Sequence, residues 1–347
     1  MEQMPANAEQ PISPTPARPT MKDVAATAGV GLKTVSRVVN GEHGVSEETS
    51  AKVLAAIQEL GFRRNDGARL LRQGARTSSV GLVLEDLADP FYSSLSRAVE
   101  DVARAHGSLL LTGSSAEDAT RERDVALDFC ARRVDGLIVV PTSVDHGYLA
   151  PELAAGTAVV SVDRPMPGLE VDTVLADNRG GIADAVGHLL RQGHRRIGFI
   201  GDAPDIFTAA ERLAAYRETM ASAGLAVDET WIAMGKPDPI GIRFALDAML
   251  SGPAPVTALI CGNNRTTVAA LRDLAPRPER PALIGFDDFE LADMLPVPVT
   301  VVAQDPALMG RMAAELLFRR MRGEQAQVQR IVVPTRLIPR GSGEHQP

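Results

Sequence analysis

The chain has 347 residues, more than one hydrophobic core comfortably uses, so two or three folding units are expected. Its net charge of −8 is unevenly spread: residues 21–77 hold nine Lys/Arg against six Asp/Glu, residues 1–20 contribute −1, and residues 78–347 carry −10. That asymmetry points to nucleic acid at one end and argues against non-specific binding elsewhere. No run approaches the roughly 20 apolar residues of a membrane span, and no basic start precedes an apolar export segment. With only Cys130 and Cys261, neither a disulfide framework nor a metal site is expected, and a cytoplasmic protein without cofactor follows.

Residues 1–19 hold five prolines and no apolar run, and read as a disordered arm. Residues 20–63 read as a helix-turn-helix head. In 21–28 Val24, Ala25 and Ala28 share one side while Lys22 and Asp23 stay polar, and Gly29 stops the helix where a positive φ is required. In the second segment Val35, Val38 and Val39 point inward, leaving Lys33, Thr34, Ser36, Arg37 and Asn40 outward. Short hydrogen-bonding groups and cations on a helix suit base edges and phosphates in a major groove. A third helix starts at Ser46 as N-cap, with Val53, Leu54, Ile57 and Leu60 as its apolar stripe, and stops at Gly61. Residues 62–76 then place five arginines against the single acid Asp66, too few core residues to fold alone.

The strings DVA at 23–25, AGV at 28–30, TVSRVVN at 34–40, VS at 45–46 and residues 65–71 together resemble the LacI/GalR family of bacterial transcription regulators, a likeness that extends over nearly the whole chain. The resemblance implies that Leu32, Lys33 and Arg37 read bases, and that residues 64–77 form a hinge helix and linker with Leu71 as a minor-groove wedge; Lys22, Asn65 and Ala68 complete the implied DNA contacts. Wedge insertion costs a few kcal/mol of unstacking, offset by a bent site with more contact. Two positions depart from the family: Arg64 replaces the usual proline before the hinge asparagine, and Gly67 costs about 1 kcal/mol relative to alanine inside a helix. The hinge is therefore expected to be less preformed than usual.

From residue 78 short apolar runs alternate with helical periods. Residues 79–84, 108–112, 136–140 and 158–162 read as buried strands, with helices at 93–106 and 121–133. A second set has strands at 196–200, 256–261 and 282–286 and helices at 180–191, 209–223, 240–250 and 265–274. Such alternation implies two doubly wound parallel sheets. The fold class is thus a small all-α head plus an α/β two-lobed domain over 78–340, lobe one being about 78–176 and 304–333, lobe two about 177–303 and 334–340, and 341–347 a flexible tail.

In open parallel sheets ligands lie beyond the carboxyl ends of the strands. Asp89 to Tyr92, Asp163 and Arg164, Asn263 and Asn264, and Asp287 and Asp288 follow strands and should line an inter-lobe cleft. The domain resembles the periplasmic sugar-binding fold that carries the family's effector site. The resemblance implies Phe91 and Tyr92 as a stacking wall, Arg212 as a cation, and Asn263 and Asp287 as partners for hydroxyls, with Asp163, Thr208 and Gln304 completing the set; Asn264 stands where the family usually has aspartate. Each has a structural alternative: Phe91 could pack into its own lobe, Arg212 could pair with Glu211 or Asp205 on the surface, and Asp287 could simply cap a turn. Aromatic walls with carboxylate and amide groups suit a sugar or sugar derivative, and also a nucleobase.

The rival classes lack their motifs. There is no G-x-S-x-G, P-loop or H-E-x-x-H, GFIG at 198–201 is not G-x-G-x-x-G, and no two of the six histidines pair at metal or triad spacing. His194 after Gly193 reads as part of a helix stop rather than a base. An enzyme, or a recombinase with a helix-turn-helix, is therefore the lesser reading. The expected protein is a repressor released from a palindromic operator on double-stranded DNA by a sugar-like effector, acting in the cytoplasm and on the nucleoid; a corepressor-dependent repressor sensing a nucleobase or other metabolite is the alternative. A helix at 307–321 and an apolar run at 331–333 precede the end of the chain with no leucine heptad, so a homodimer rather than a coiled-coil tetramer is expected.

Overall fold

The computed structural model describes residues 19–63, 77–142, 144–252, 254–277 and 280–347, and the chain divides into two compact units, residues 1–75 and 76–347. Asn65, Ala68 and Leu71, and the arm over residues 1–18, lie outside the described residues.

The first unit holds three helices, α1 (Met21–Ala28), α2 (Leu32–Val39) and α3 (Glu47–Leu60). Thr20 and Asp23 form a reciprocal capping box at the start of α1, and Gly29 ends it at φ +65°. Ser46 caps α3 by accepting from the Thr49 N–H, and Gly61 ends it at φ +61°. Val24, Ala25, Val35, Val53 and Ala56 form the buried core, with Val38, Val39, Ile57 and Leu60 packed around it. Leu54 does not join the stripe: it is 55 % exposed, and Ala56 takes the inward position. With Val53 facing the core at i, the positions that share its face are i+3, i+4 and i+7, and Leu54 at i+1 is turned about 100° away.

The second unit has two six-stranded sheets. The strands are β1 (Ser79–Leu84), β2 (Leu109–Ser114), β3 (Gly136–Val139), β4 (Ala158–Val162), β5 (Asp172–Ala176), β6 (Ile197–Gly201), β7 (Ile232–Met234), β8 (Ala258–Cys261), β9 (Ala282–Phe286), β10 (Thr300–Ala303), β11 (Arg330–Val333) and β12 (Arg336–Ile338). The orders are β11-β5-β4-β3-β1-β2 and β12-β10-β9-β8-β6-β7. The first sheet is parallel throughout, and in the second only β12 runs antiparallel, against β10. The chain passes between the lobes three times, after β5, after β10 and after β11.

The helices of this unit are α4 (Pro90–Ala105), α5 (Ala119–Ala131), α6 (Ala150–Ala154), α7 (Asn178–Arg191), α8 (Phe207–Ser222), α9 (Pro239–Ser251), α10 (Asn264–Leu274) and α11 (Pro306–Met321). Asp89, Asp118, Asp177, Asp238 and Asp305 cap α4, α5, α7, α9 and α11, so the turn after a strand supplies its own acceptor for an orphan helix N–H. Proline stands in the first turn of α4, α9 and α11, where its missing N–H costs nothing. In lobe one α4 and α11 cover one face and α5 the other, and in lobe two α7 and α8 oppose α9 and α10. Gly310 of α11 lies so close to α4 that a Cβ there would stand 2.5 Å from the Leu95 carbonyl oxygen.

Two expectations are corrected. The strand near 108–112 is an edge strand and half-exposed, with Leu109 64 % accessible, because β2 has a neighbour on one side only. The segment 341–347 is no free tail. Ser342 is buried: its Oγ accepts from the Thr300 N–H at 2.9 Å and donates to the Leu283 carbonyl at 2.5 Å, and its own carbonyl accepts from the Leu283 N–H at 2.8 Å. Glu344 accepts from the Thr300 hydroxyl, and His194 contacts the His345 carbonyl at 2.7 Å. These polar residues lack any apolar pattern and are held by hydrogen bonds, which leave no periodic trace in sequence. Deleting 341–347 strips partners from buried Leu283 and Thr300 backbone groups and is expected to cost about 2–4 kcal/mol in urea-melt stability; an unchanged midpoint would make the segment dispensable.

Candidate functional site

In the head, α2 carries no acid in its first turn, and its N-cap, Gly31, makes no side-chain cap bond. Lys33, Arg37 and Leu32 are exposed, Leu32 by 44 %, while Thr34 and Ser36 are half-buried beside them; Lys22 is exposed on α1. Asn40 is exposed but engaged, its Nδ2 donating to Glu42 at 3.0 Å and to Ser36 at 3.4 Å. Glu42 also stands 3.9 Å from Arg37. Both ion partners are solvated, so this contact adds little stability and leaves the guanidinium able to turn toward an anion.

In the second unit all eight residues expected at the cleft, Phe91, Tyr92, Asp163, Thr208, Arg212, Asn263, Asp287 and Gln304, line one narrow chamber between the lobes, partly open to solvent. They come from the carboxyl ends of β1, β4, β8, β9 and β10 and from the start of α8.

The two lobes repeat one device. Asp163 follows β4 and Asp287 follows β9; both have φ +70° and both are buried. The Asp163 N–H donates to the Val174 carbonyl at 2.8 Å, and the Asp287 N–H to the Val302 carbonyl at 2.9 Å. A left-handed aspartate costs energy that the neighbouring strand's hydrogen bond offsets, and it turns each carboxylate into the chamber. Tyr92 donates to Asp163 at 3.3 Å, and Gln304 Nε2 to Asp287 at 2.5 Å. The side-chain oxygen of Gln304, Oε1, is buried and meets no donor among the described residues. Burial raises both aspartates above the ordinary carboxylate range, opposed by the guanidiniums of Arg164 and Arg212 beside Asp163 and of Arg212 beside Asp287.

Arg212 is not a surface partner of Glu211 or Asp205. It is buried, its Nε donates to Asn178 at 2.7 Å and its Nη1 to the Gly262 carbonyl at 2.7 Å, and its guanidinium lies 3.8 Å from the centre of the Phe286 ring. Three fixed contacts hold its guanidinium in one orientation at the chamber wall. Phe91 does both things considered for it: it packs on the lobe-one core and edge-on to Tyr92, and it faces the chamber. Asn263 caps α10 by accepting from Thr266 at 2.8 Å and donates to Asp202 at 2.8 Å, so it is held from both ends.

The residues after position 19 match the description "Bacterial regulatory proteins, lacI family" over 20–65, and residues 186–343 match a periplasmic binding protein-like domain. The regulator GalR of Escherichia coli is 33 % identical over 301 residues, covering 86 % of this chain and 88 % of GalR. The regulator CelR of Thermobifida fusca is 35 % identical over 337 residues, 94 % of this chain and 98 % of CelR. The chain belongs to the LacI family. Among solved structures, a CelR–cellobiose complex at 35 % identity superposes with a TM-score of 0.68 over 94 % of this chain and all of CelR, and a lac repressor dimer bound to operator and an anti-inducer, at 23 % identity, shares the fold with a TM-score of 0.80 over 94 % of this chain and 99 % of that one. The protein is accordingly a DNA-binding transcription regulator and not an enzyme. Among the described residues no helix is long and apolar enough to cross a membrane, and no cluster of potential metal ligands occurs.

Several cleft residues of this LacI-family chain take partners that the sequence did not indicate, and Arg265 was not singled out from sequence at all. Arg164 is buried and donates to Glu117 at 2.5 and 3.1 Å and to Glu85 at 3.4 Å. Arg265, on α10 of lobe two, reaches across to lobe one: Nη1 to Glu85 at 3.1 Å, Nη2 to Asp86 at 2.6 Å and Nε to Asp89 at 3.3 Å. Asn264 also crosses, donating to Asp89 at 3.0 Å. An aspartate at 264 would set two buried carboxylates together; the amide turns that repulsion into a bond. Arg164 was expected at the cleft from its place after a strand, whereas the only sequence signal for Arg265 was a position near a strand end, shared with residues that line nothing.

Burial and the neighbouring Glu117 raise Glu85 to about 7, against the pull of Arg164 and Arg265. Because the folded value lies above the unfolded one, the stabilising contribution of the protonated form is full below about 4.5 and is lost as pH rises through about 7. Between pH 5 and pH 8 the melting temperature should therefore fall further for the native protein than for Glu85→Gln. Parallel curves for the two would mean that Glu85 is ionised throughout.

Proposed function

We propose that this regulator represses transcription from a palindromic operator and is released when a small sugar-like effector occupies the chamber. The observation that carries the effector half is the convergence of two left-handed aspartates, one from each lobe, with a buried arginine and two aromatic rings on one chamber. A pyranose offers an apolar face for the rings of Phe91 and Tyr92 and hydroxyls for Asp163, Asp287, Arg212 and Gln304. CelR, found with cellobiose, supports a sugar as the first probe.

For the DNA half, Leu32, Lys33 and Arg37 at the exposed start and side of α2 read base edges, with Lys22, Thr34, Ser36 and Asn40 contributing contacts to backbone or base. Two heads of a homodimer read the two half-sites, while Asn65, Ala68 and Leu71 serve as hinge and wedge. Lobe closure is the element that both ligands bias, since lobes drawn together around the effector change the surfaces that set the spacing of the heads. By linkage, operator DNA then changes effector affinity by the factor with which effector changes operator affinity. The protein acts in the cytoplasm at the nucleoid.

Arg37→Ala should weaken operator binding by about 1–3 kcal/mol in a fluorescence-anisotropy titration, with a much smaller loss on random duplex. Equal losses on both would make Arg37 a phosphate contact. Asp287→Ala should abolish the response to cellobiose or galactose while operator affinity stays native, and a response unmoved in midpoint would place the effector elsewhere. Nucleobases that shift operator binding while no sugar does would overturn the sugar reading.

A further inference from the structure

The chamber opens into a space on each side. One mouth of about 790 Å³ shares Phe91, Asp287 and Gln304 with it, and a wider one of about 2230 Å³ shares Glu85, Asp89, Asp202, Ile206, Asn264 and Arg265. In each, acidic side chains outnumber basic ones. Among the described lining residues the chamber has five acidic side chains, three of them (Glu85, Asp163 and Asp287) held toward the protonated form by burial, and three guanidiniums; the narrower mouth has four acidic side chains and one guanidinium, and the wider mouth seven acidic side chains and four cations. Low-dielectric walls focus such an excess along the whole passage.

The cations nearest the chamber are already matched. Arg164 faces Glu85, Glu117 and Asp163; Arg265 faces Glu85, Asp86 and Asp89; Arg212 has Asp287 at 3.8 Å; and Arg340, at the narrower mouth, holds Asp288 through both of its terminal nitrogens at 2.6 and 2.7 Å. A phosphate would have to take one of these guanidiniums from a carboxylate and leave that carboxylate unpaired. Of the helix N-termini beside the passage, the other common anion sites, those of α4 and α9 are closed, while that of α8, after Ile206 on the chamber wall, has no side-chain cap. Asp89 accepts from the Phe91 N–H at the start of α4, and Asp238 from the Ile240 and Gly241 N–H groups at the start of α9. At each, the place where an anion would sit holds a carboxylate of the chain itself.

We propose, resting on the sugar reading above, that the cleft is built for a sugar without acidic groups and turns away phosphorylated and uronic forms of that sugar. The specificity is carried by the carboxylate excess along the passage, with exposed Asp205 at one mouth and Glu290 and Asp293 at the other acting on an approaching ligand. The regulator thus senses a sugar before it is phosphorylated or oxidised to an acid. A reaction of either class consumes the effector and would restore repression.

Matched pairs test this on the full-length protein by isothermal titration calorimetry: glucose and glucose 6-phosphate, galactose and galacturonate, cellobiose and cellobionate. At about 20 mM salt, where charges act over a long range, any neutral sugar that binds should do so at least about tenfold more tightly than its acidic partner. The gap should narrow at about 300 mM salt. It should narrow also in a triple variant, Asp205→Asn with Glu290→Gln and Asp293→Asn, which changes only exposed side chains and should bind the neutral sugar as the native protein does. An acidic partner that binds as well as or better than its parent overturns the inference and leaves the sugar reading intact. Discrimination unmoved by salt and by the triple variant overturns the electrostatic origin. Binding of nucleobases with no sugar bound removes both the inference and the reading beneath it.

Discussion

The cleft depends on the direction of the strands. In a parallel sheet every strand ends at the same edge, so the turns that follow are delivered to one side, and two such sheets joined by three crossings present those sides to each other. Most polar groups of the chamber follow from this, Thr208 and Arg212 on α8 being the exceptions. Glu85 and Asp89 come after β1, Asp163 and Arg164 after β4, Asp202 after β6, Asn263 to Arg265 after β8, Asp287 after β9 and Gln304 after β10. Aspartate serves these turns well because it caps a following helix or tolerates a left-handed backbone, and both uses occur here.

That constraint also accounts for the charge of the site. An aspartate placed for capping or for a turn brings a carboxylate to the cleft whether or not a ligand needs one, and burial then makes each charge costly. The guanidiniums of Arg164, Arg212 and Arg265 meet this cost, and in doing so they fix the cleft walls. Arg265 and Asn264 do so between lobes, so the closed cleft is held by contacts of the protein with itself. An effector that occupies the chamber acts on that same set of bonds, which ties occupancy to lobe position and gives the ligand a differential affinity for the two arrangements.

The sequence by itself determined the local features. Gly29 and Gly61 stop their helices in the left-handed conformation, Ser46 caps α3, β1 to β4, β6, β8, β9 and β11 read from their apolar runs while β5, β7, β10 and β12 did not, and the likeness to the LacI family named the residues that converge on the chamber. These depend on propensity, periodicity and short spacing, which are written within a few residues. Only the tertiary structure decided which partner each polar group takes. Arg212 meets Asn178 and Gly262 rather than its neighbour Glu211, Arg265 crosses to the other lobe, Leu54 is turned out while Ala56 is turned in, and residues 341–344 are bound into the second sheet through Ser342. A hydrogen bond or ion pair between residues 59 or 180 positions apart carries no period and no fixed spacing. Its energy arises only once the fold has removed water from both partners.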